Sequence, residues 1–141
     1  MSKDQLNEQN EYRAYFTITG NFDPSLITSL LGIKPTSYFR KGDLTRSRRE
    51  YTFSRWSLES RLARTEKTAK HIEDVLAQLS PISETILDLC SKYEGRLQLV
   101  ASFFDGQASV DVDPETIKKL SRLGVGIDFD PYDLRSGEEA A

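Results

Sequence analysis

The side chains best suited to binding chemistry are concentrated between residues 36 and 55. Cations alternate there with aromatic rings: Arg40, Lys41, Arg46, Arg48, Arg49 and Arg55 with Tyr38, Phe39, Tyr51, Phe53 and Trp56. From Lys34 to Lys67 there are ten Lys or Arg against four Asp or Glu, a formal charge of +6, whereas the whole chain carries −3. An acidic chain therefore contains one basic segment that could attract an acidic partner.

This basic segment supports three interpretations. Arginine and aromatic side chains dominate the energetic centres of protein interfaces, and they also hold single-stranded nucleic acid by charge and stacking. Alternatively, the rings belong to the core and the arginines form a solvated loop. A protein partner is the leading functional interpretation, and nucleic acid is the less favoured one. The candidate binding residues are Tyr38, Arg40, Lys41, Asp43, Arg46, Arg48, Arg49 and Arg55.

A second group of candidates lies near the C-terminal end of the sequence. Asp128, Asp130 and Tyr132, together with Lys41, could form a small-ligand site or an unrecognised active site if they converge in a pocket. Asp111 and Asp113 form a similar pair, and four such carboxylates could hold Mg²⁺ or Ca²⁺. Aspartates on alternating strands normally face water, however, and Asp113 suits a helix cap, so we predict neither a metal nor a cofactor.

The sequence offers little for catalysis. Cys90 and His71 could pair as nucleophile and base, but on one helix they are about 28 Å apart unless the chain folds back at Pro81. Cys90 also lies on an apolar stripe and is expected in the core. Glycine-rich phosphate loops, nucleotide-binding fingerprints and hydrolase elbows are not found in the sequence. We therefore lean towards a protein that is not an enzyme.

Composition bounds the class of protein. The 141 residues suit a single domain over 1–141, with 1–11 and 135–141 as flexible tails. One cysteine excludes an intramolecular disulfide, which fits a reducing cytosol. Because no stretch approaches the apolar length of a membrane span, we expect a cytoplasmic protein without membrane contact.

The elements that must position these residues follow from periodicity. Strand patterns cover residues 12–19, 51–58 and 126–130, and residues 96–104 and 107–112 flank Asp105-Gly106 as a predicted hairpin. Residues 36–49 lack periodicity and are predicted to be a long polar connection. An apolar stripe over residues 65–93 predicts a long helix, either kinked or restarted at Pro81.

Two short helices have the same start and stop signals. Asp23-Pro24 and Asp113-Pro114 provide a cap followed by proline, and Gly32 and Gly124 provide the ends. A duplicated half and shared capping chemistry both account for the likeness. The order β-α-β-α-β-β-α-β predicts an α+β fold with a mixed, mainly antiparallel sheet and helices largely on one face. A ferredoxin-like arrangement is one form of it.

A spaced motif covers nearly the whole chain. It comprises residues 16–24 (FTITGNFDP), 31–36 (LGIKPT), 41–43 (KGD), Trp56 and 127–132 (IDFDPY). In these features the chain resembles the bacterial family catalogued as domain of unknown function 4279. The resemblance implies a small, stand-alone α+β bacterial protein and transfers no catalytic residues.

The sequence leads to three function hypotheses. The first is a non-enzymatic bacterial protein-binding module, of which an immunity-like protein is one form, that uses the basic loop at residues 36–55. The alternative is a small-ligand binder or enzyme built on Asp128, Asp130, Tyr132 and Lys41. The third is a single-stranded nucleic-acid binder, and a homodimer through the unpaired last strand also remains open.

Overall fold

The computed structural model describes residues 9–106 and 110–134, which form one mixed sheet with helices on one side. The strands are β1 (Glu11–Gly20), β2 (Ser37–Phe39), β3 (Ser54–Glu59), β4 (Glu94–Phe103) and β5 (Val125–Asp133). The helices are α1 (Pro24–Leu31), α2 (Thr68–Leu79), α3 (Ser83–Lys92) and α4 (Pro114–Leu123), with a 3₁₀ turn at Ser80–Ile82.

The sheet has the spatial order β2-β3-β1-β4-β5. All neighbouring pairs are antiparallel except β4 and β5, which are parallel. Parallel neighbours need a crossover connection, and α4 supplies it. The predicted α+β class and the mixed, mainly antiparallel sheet are confirmed.

The core lies between the helices and one face of the sheet. Because side chains alternate across a strand, Phe16, Ile18 and Trp56 point to this covered face and are fully buried. The Trp56 Nε1 donates a hydrogen bond to Thr28 Oγ1 of α1 at 3.0 Å, which satisfies its polar atom inside the core. The opposite face of the sheet carries no helix among the described residues, and we call it the open face.

The predicted helix ends are confirmed at both Asp-Pro helices. Asp23 Oδ1 accepts from Ser25 N at 3.0 Å and Asp113 Oδ1 accepts from Thr116 N at 2.8 Å. Gly32 and Gly124 end the helices with φ of 70° and 74°, a left-handed backbone conformation that residues other than glycine rarely adopt. The strands around the two helices are arranged differently, however. Helix α1 follows β1, which pairs with β3 in antiparallel orientation, whereas α4 joins β4 to β5, which are parallel neighbours.

The long predicted helix is split at Pro81 rather than kinked. Helix α2 ends at Leu79, a 3₁₀ turn carries Pro81, and α3 begins at Ser83. Proline lacks an N–H and crowds the preceding turn, so the regular hydrogen-bond ladder stops there.

The predicted hairpin at Asp105-Gly106 differs in its second arm. Residues 110–112 are not in a strand, although Val110 and Val112 pack against the core, and 107–109 lie outside the described residues. Residues 110–112 cannot pair with β4 as the second arm of a hairpin, because β4 already pairs with β1 on one side and with β5 on the other.

The described residues include the last part of the predicted N-terminal tail. Residues 1–8 and 135–141 lie outside the described residues. Glu11 begins β1, and Asn10 Oδ1 accepts from Phe104 N at 2.8 Å. Within 9–106 and 110–134, no helix has both the length and the apolar character required to cross a membrane.

Candidate functional site

Most of the predicted polar connection (residues 36–49), together with the first residues of the strand predicted over 51–58, forms an ordered hairpin, which we call the basic hairpin (residues 40–53). Its arms are joined by Gly42 N to Tyr51 O at 2.9 Å, Tyr51 N to Asp43 O at 2.9 Å, and Thr45 N to Arg49 O at 2.7 Å. A bridge between Leu44 and Glu50 continues the pairing towards the tip. The polar connection predicted over residues 36–49 therefore contains β2 (Ser37–Phe39) and most of this hairpin, which its lack of periodicity did not indicate because backbone pairing does not need an apolar period.

Side chains at the turns hold this shape. Asp43 Oδ2 accepts from Arg40 N at 2.9 Å, and Thr45 Oγ1 accepts from Arg49 N at 3.2 Å. Ser54 Oγ accepts from Lys41 N at 2.9 Å and ties the hairpin to the start of β3. The candidate residue Asp43 thus has a structural role, since short polar side chains that bond nearby backbone stabilise turns.

The tip of the hairpin presents cations to solvent. Arg46, Arg48 and Arg49 are exposed, and none forms an ion pair within the described part of the chain. Leu44, next to them, has 66% of its surface exposed. The tip therefore combines an apolar side chain with three unneutralised guanidinium groups.

An aromatic cluster supports the base of the hairpin. The rings of Phe39 and Tyr51 stack with centroids 3.7 Å apart, and Phe53 meets Phe39 edge-on at 5.4 Å. The Arg55 guanidinium lies 4.9 Å from the Phe39 centroid. Ring and cation contacts of this kind stabilise the packing of Phe39.

Tyr38 lies on the opposite face of the sheet from Phe39 and Arg55, because adjacent residues of a strand point to opposite faces. Arg40 lies against Tyr38, on that same side. The Arg40 guanidinium is 5.3 Å from the Tyr38 ring centroid, and its Nε is 3.4 Å from Asp23 Oδ1 at the start of α1. Hydrogen bonds from Ser25, followed by the charge of Arg40, lower the pKa of Asp23. These two candidates therefore contact the helix layer rather than the open face.

Charged side chains on the open face form two networks. Arg13 donates two hydrogen bonds to Glu59 at 2.8 and 2.9 Å, and these bonds lower the pKa of Glu59. Arg96 contacts Glu94 at 2.7 Å and Asp128 at 3.7 Å. Gln98 Nε2 also donates to Asp128 Oδ2 at 2.8 Å.

The structure does not gather the second group of candidates into one cavity. Asp128 lines a cavity of about 450 Å³ on the open face, and Tyr132 lines another of about 310 Å³ near Arg13 and Tyr15. Lys41 lines neither of these two cavities and follows β2, at the sheet edge opposite to β5.

The cavity that contains Asp128 joins two candidates from different groups, Arg55 and Asp128, to residues that were not predicted as site residues. Its lining residues on four different segments are Thr17, Thr19, Gly20, Phe53, Arg55, Glu94, Arg96, Gln98 and Asp128. Alternation along residues 12–19 and 96–104 was the available signal, since it assigns Thr17, Thr19, Arg96 and Gln98 to polar faces. Strand order, which places these faces side by side, was not visible.

His71 and Cys90 do not form a catalytic pair. His71 Nδ1 is hydrogen-bonded to Ser60 Oγ, and burial lowers the pKa of this histidine. Burial raises the pKa of the Cys90 thiol to about 11, so the reactive thiolate is disfavoured. Within residues 9–106 and 110–134, no three His, Cys, Asp or Glu side chains come together as metal ligands.

Comparison with known proteins identifies the family of the chain but no activity. The model of a family described as domain of unknown function (DUF4279) matches residues 10–134. Searches of curated proteins and of solved structures found no match.

Proposed function

The chain belongs to the DUF4279 family, and we propose that its function is to bind a protein partner through the basic hairpin. The supporting observation is the ordered tip, where exposed Leu44 adjoins Arg46, Arg48 and Arg49 without internal carboxylate partners among the described residues. The partner surface would be acidic around an apolar contact. The proposal involves binding alone and assigns no catalytic step.

The energetics of association favour this surface. Arginine and a large apolar side chain provide the desolvated centre and the charged surroundings typical of interface hot spots. Backbone hydrogen bonds already order the hairpin, so less conformational entropy is lost when a partner binds. Unpaired arginines would also accelerate encounter with an acidic surface.

The aromatic cluster favours a protein over single-stranded nucleic acid. Nucleic acid would need ring faces on which bases can stack. One face of Phe39 is occupied by Tyr51, and the Arg55 guanidinium also lies against the Phe39 ring. Phe39, Tyr51 and Phe53 are thus in contact with one another, and the Tyr38 ring lies against Arg40. The tip itself, residues 44–49, contains no aromatic side chain, so it offers charge without a ring on which a base could stack.

We further propose that the protein acts in the cytoplasm of a bacterium. One cysteine suits a reducing compartment, and the resemblance of its motifs points to a bacterial source. Neutralisation of an acidic toxin surface, an immunity-like role, is one form that the proposed binding could take.

Capture from the native cytosol tests the proposal. The tagged chain is compared with a hairpin reversal (Arg46→Glu, Arg48→Glu, Arg49→Glu) and a control reversal on α4 (Lys118→Glu, Lys119→Glu, Arg122→Glu), which changes the formal charge equally. We expect a stoichiometric protein that survives nuclease and is retained by the control, with at least about tenfold less on the hairpin reversal, because several hot-spot contacts are lost.

Two results would contradict this function. Capture of nuclease-sensitive material alone would favour nucleic acid, and its binding would weaken steeply with added salt. Equal capture by the hairpin and control reversals would show that the basic hairpin is not the interface.

A further inference from the structure

The cavity on the open face has a polar floor and one apolar wall. Thr17 and Thr19 of the central strand β1 lie beneath it, and Phe53, with 42% of its surface exposed, forms part of one side. Its volume of about 450 Å³ is within the range of small-molecule sites. Because it lies on the sheet, rigid strands hold most of its lining residues.

The charges around this cavity are not equally neutralised. Arg96 contacts both carboxylates of the lining, Glu94 at 2.7 Å and Asp128 at 3.7 Å. Arg55, on the other side, has no ion-pair partner among the described residues and rests on the Phe39 ring. The cavity therefore contains one cation whose charge remains available.

Burial makes this cation costly without an anion. The Arg55 Nε is shielded from solvent and has no hydrogen-bond partner in the described structure, and neither has Ser57 Oγ on the same strand face. A partly desolvated guanidinium without an acceptor raises the free energy of the folded state. An anion held by the rest of the guanidinium would offset that cost.

We propose that this cavity binds a small organic anion, a carboxylate or phosphate attached to an apolar group. The anionic end would be held by Arg55 and by the hydroxyl of Thr19, and the apolar group would rest against Phe53. Charge-assisted hydrogen bonds from guanidinium are well suited to both kinds of anion. This site is separate from the hairpin tip, so it does not depend on the proposed protein partner.

Phenyl phosphate serves as the probe because it combines an anion with a ring. Its binding is followed by amide chemical shifts of the full chain, alongside inorganic phosphate for the charge alone and benzyl alcohol for the ring alone. We expect saturable shifts at Thr17, Thr19 and Arg55, with phenyl phosphate binding more tightly than either half.

Substitutions make the test specific. Arg55→Gln removes the charge and should weaken phenyl phosphate binding about tenfold, the usual effect of losing one charge-assisted hydrogen bond. The control Arg122→Gln, an exposed arginine on α4, should leave the affinity unchanged. Arg55→Lys keeps the charge and should retain more affinity for phenyl phosphate than Arg55→Gln. Thr19→Val should also weaken binding. Because the variants change two different residues, the contacts can still be tested if one variant fails to fold.

The proposal would be overturned by any of three results. Shifts confined to other surfaces would place the site elsewhere. Equal affinity of the wild type, Arg55→Gln and Thr19→Val would remove the proposed contacts, and benzyl alcohol binding as tightly as phenyl phosphate would remove the requirement for an anion.

Discussion

Three arginines on the open face show how neighbours decide what a residue can do. Arg13 is neutralised by Glu59 and Arg96 by Glu94 and Asp128, whereas Arg55 lies against an aromatic ring. Paired surface arginines add little to stability. The unpaired one, Arg55, keeps a charge available for the small anion that we propose as its ligand.

His71 predicts how stability changes with pH. Burial lowers its pKa, so below about pH 6.5 the unfolded chain takes up a proton that the folded chain resists. The free energy of unfolding should therefore fall as the pH decreases from 7.5 to 5.5, by at most about 1.4 kcal/mol per pH unit. Urea unfolding of the wild type and His71→Gln at several pH values measures this slope.

The comparison isolates His71 because it is the only histidine of the chain. Glu59 and Asp74 also have lowered pKa values, through hydrogen bonds from Arg13 and Arg61 respectively, so their loss of stabilisation comes at lower pH. Parallel curves for the two proteins between pH 7.5 and 5.5 would show that His71 is not responsible.

At the scale of elements, close packing of α3 on β4 depends on a missing side chain. A Cβ at Gly95 would collide with Cys90 Sγ of α3, and a Cβ at Gly124 would lie 3.3 Å from Cys90 Cβ. The half-buried Cys90 fills the space between these glycines. Its thiol therefore serves packing rather than reactivity.

Substitution at this contact should be strongly non-additive. Gly95→Ala is expected to lower the free energy of unfolding by about 1–3 kcal/mol, because it overpacks the interface. In a Cys90→Ala background the same change should cost about 1 kcal/mol less, since the colliding sulfur is gone. Urea unfolding of the four proteins gives both values, and strictly additive effects would refute the steric explanation.

At the scale of the whole molecule, β5 is a sheet edge with a mixed character. Ile127 and Phe129 are 36% and 41% exposed on one of its faces, which would favour association. Asp128 and Asp130 on the other face carry negative charge, and Pro131 lacks an N–H to donate. Charges and proline on an edge strand oppose pairing with another strand.

We therefore expect the isolated chain to be a monomer. Antiparallel pairing of β5 with a second copy centred at residue 128, 129 or 130 places aspartates opposite aspartates, and like charges directly opposed are destabilising. Light scattering should give a mass near 16.0 kDa at micromolar concentration. Twice that mass would contradict this expectation.

Much of the secondary structure could be predicted from the sequence because its causes are local. Asp23 and Asp113 cap helices through backbone groups two or three residues away, and Gly32 and Gly124 end them by their own φ. Alternation along β1, the aromatic run that includes β3 and the position of β4 before Asp105-Gly106 likewise indicated strands. With the helix patterns, these strands predicted the α+β class. The basic segment was visible as composition alone.

The tertiary structure decided which charges remain free. Arg13 and Glu59 are 46 residues apart, and Arg96 meets Asp128 only because β5 pairs in parallel with β4. Likewise, the hairpin at residues 40–53 and the stacking of Phe39 on Tyr51 depend on chain reversal. Strand order is a collective result of core packing, so no local pattern could show that Arg55 lines the cavity on the open face with no carboxylate paired to it among the described residues, while Arg96 takes both Glu94 and Asp128.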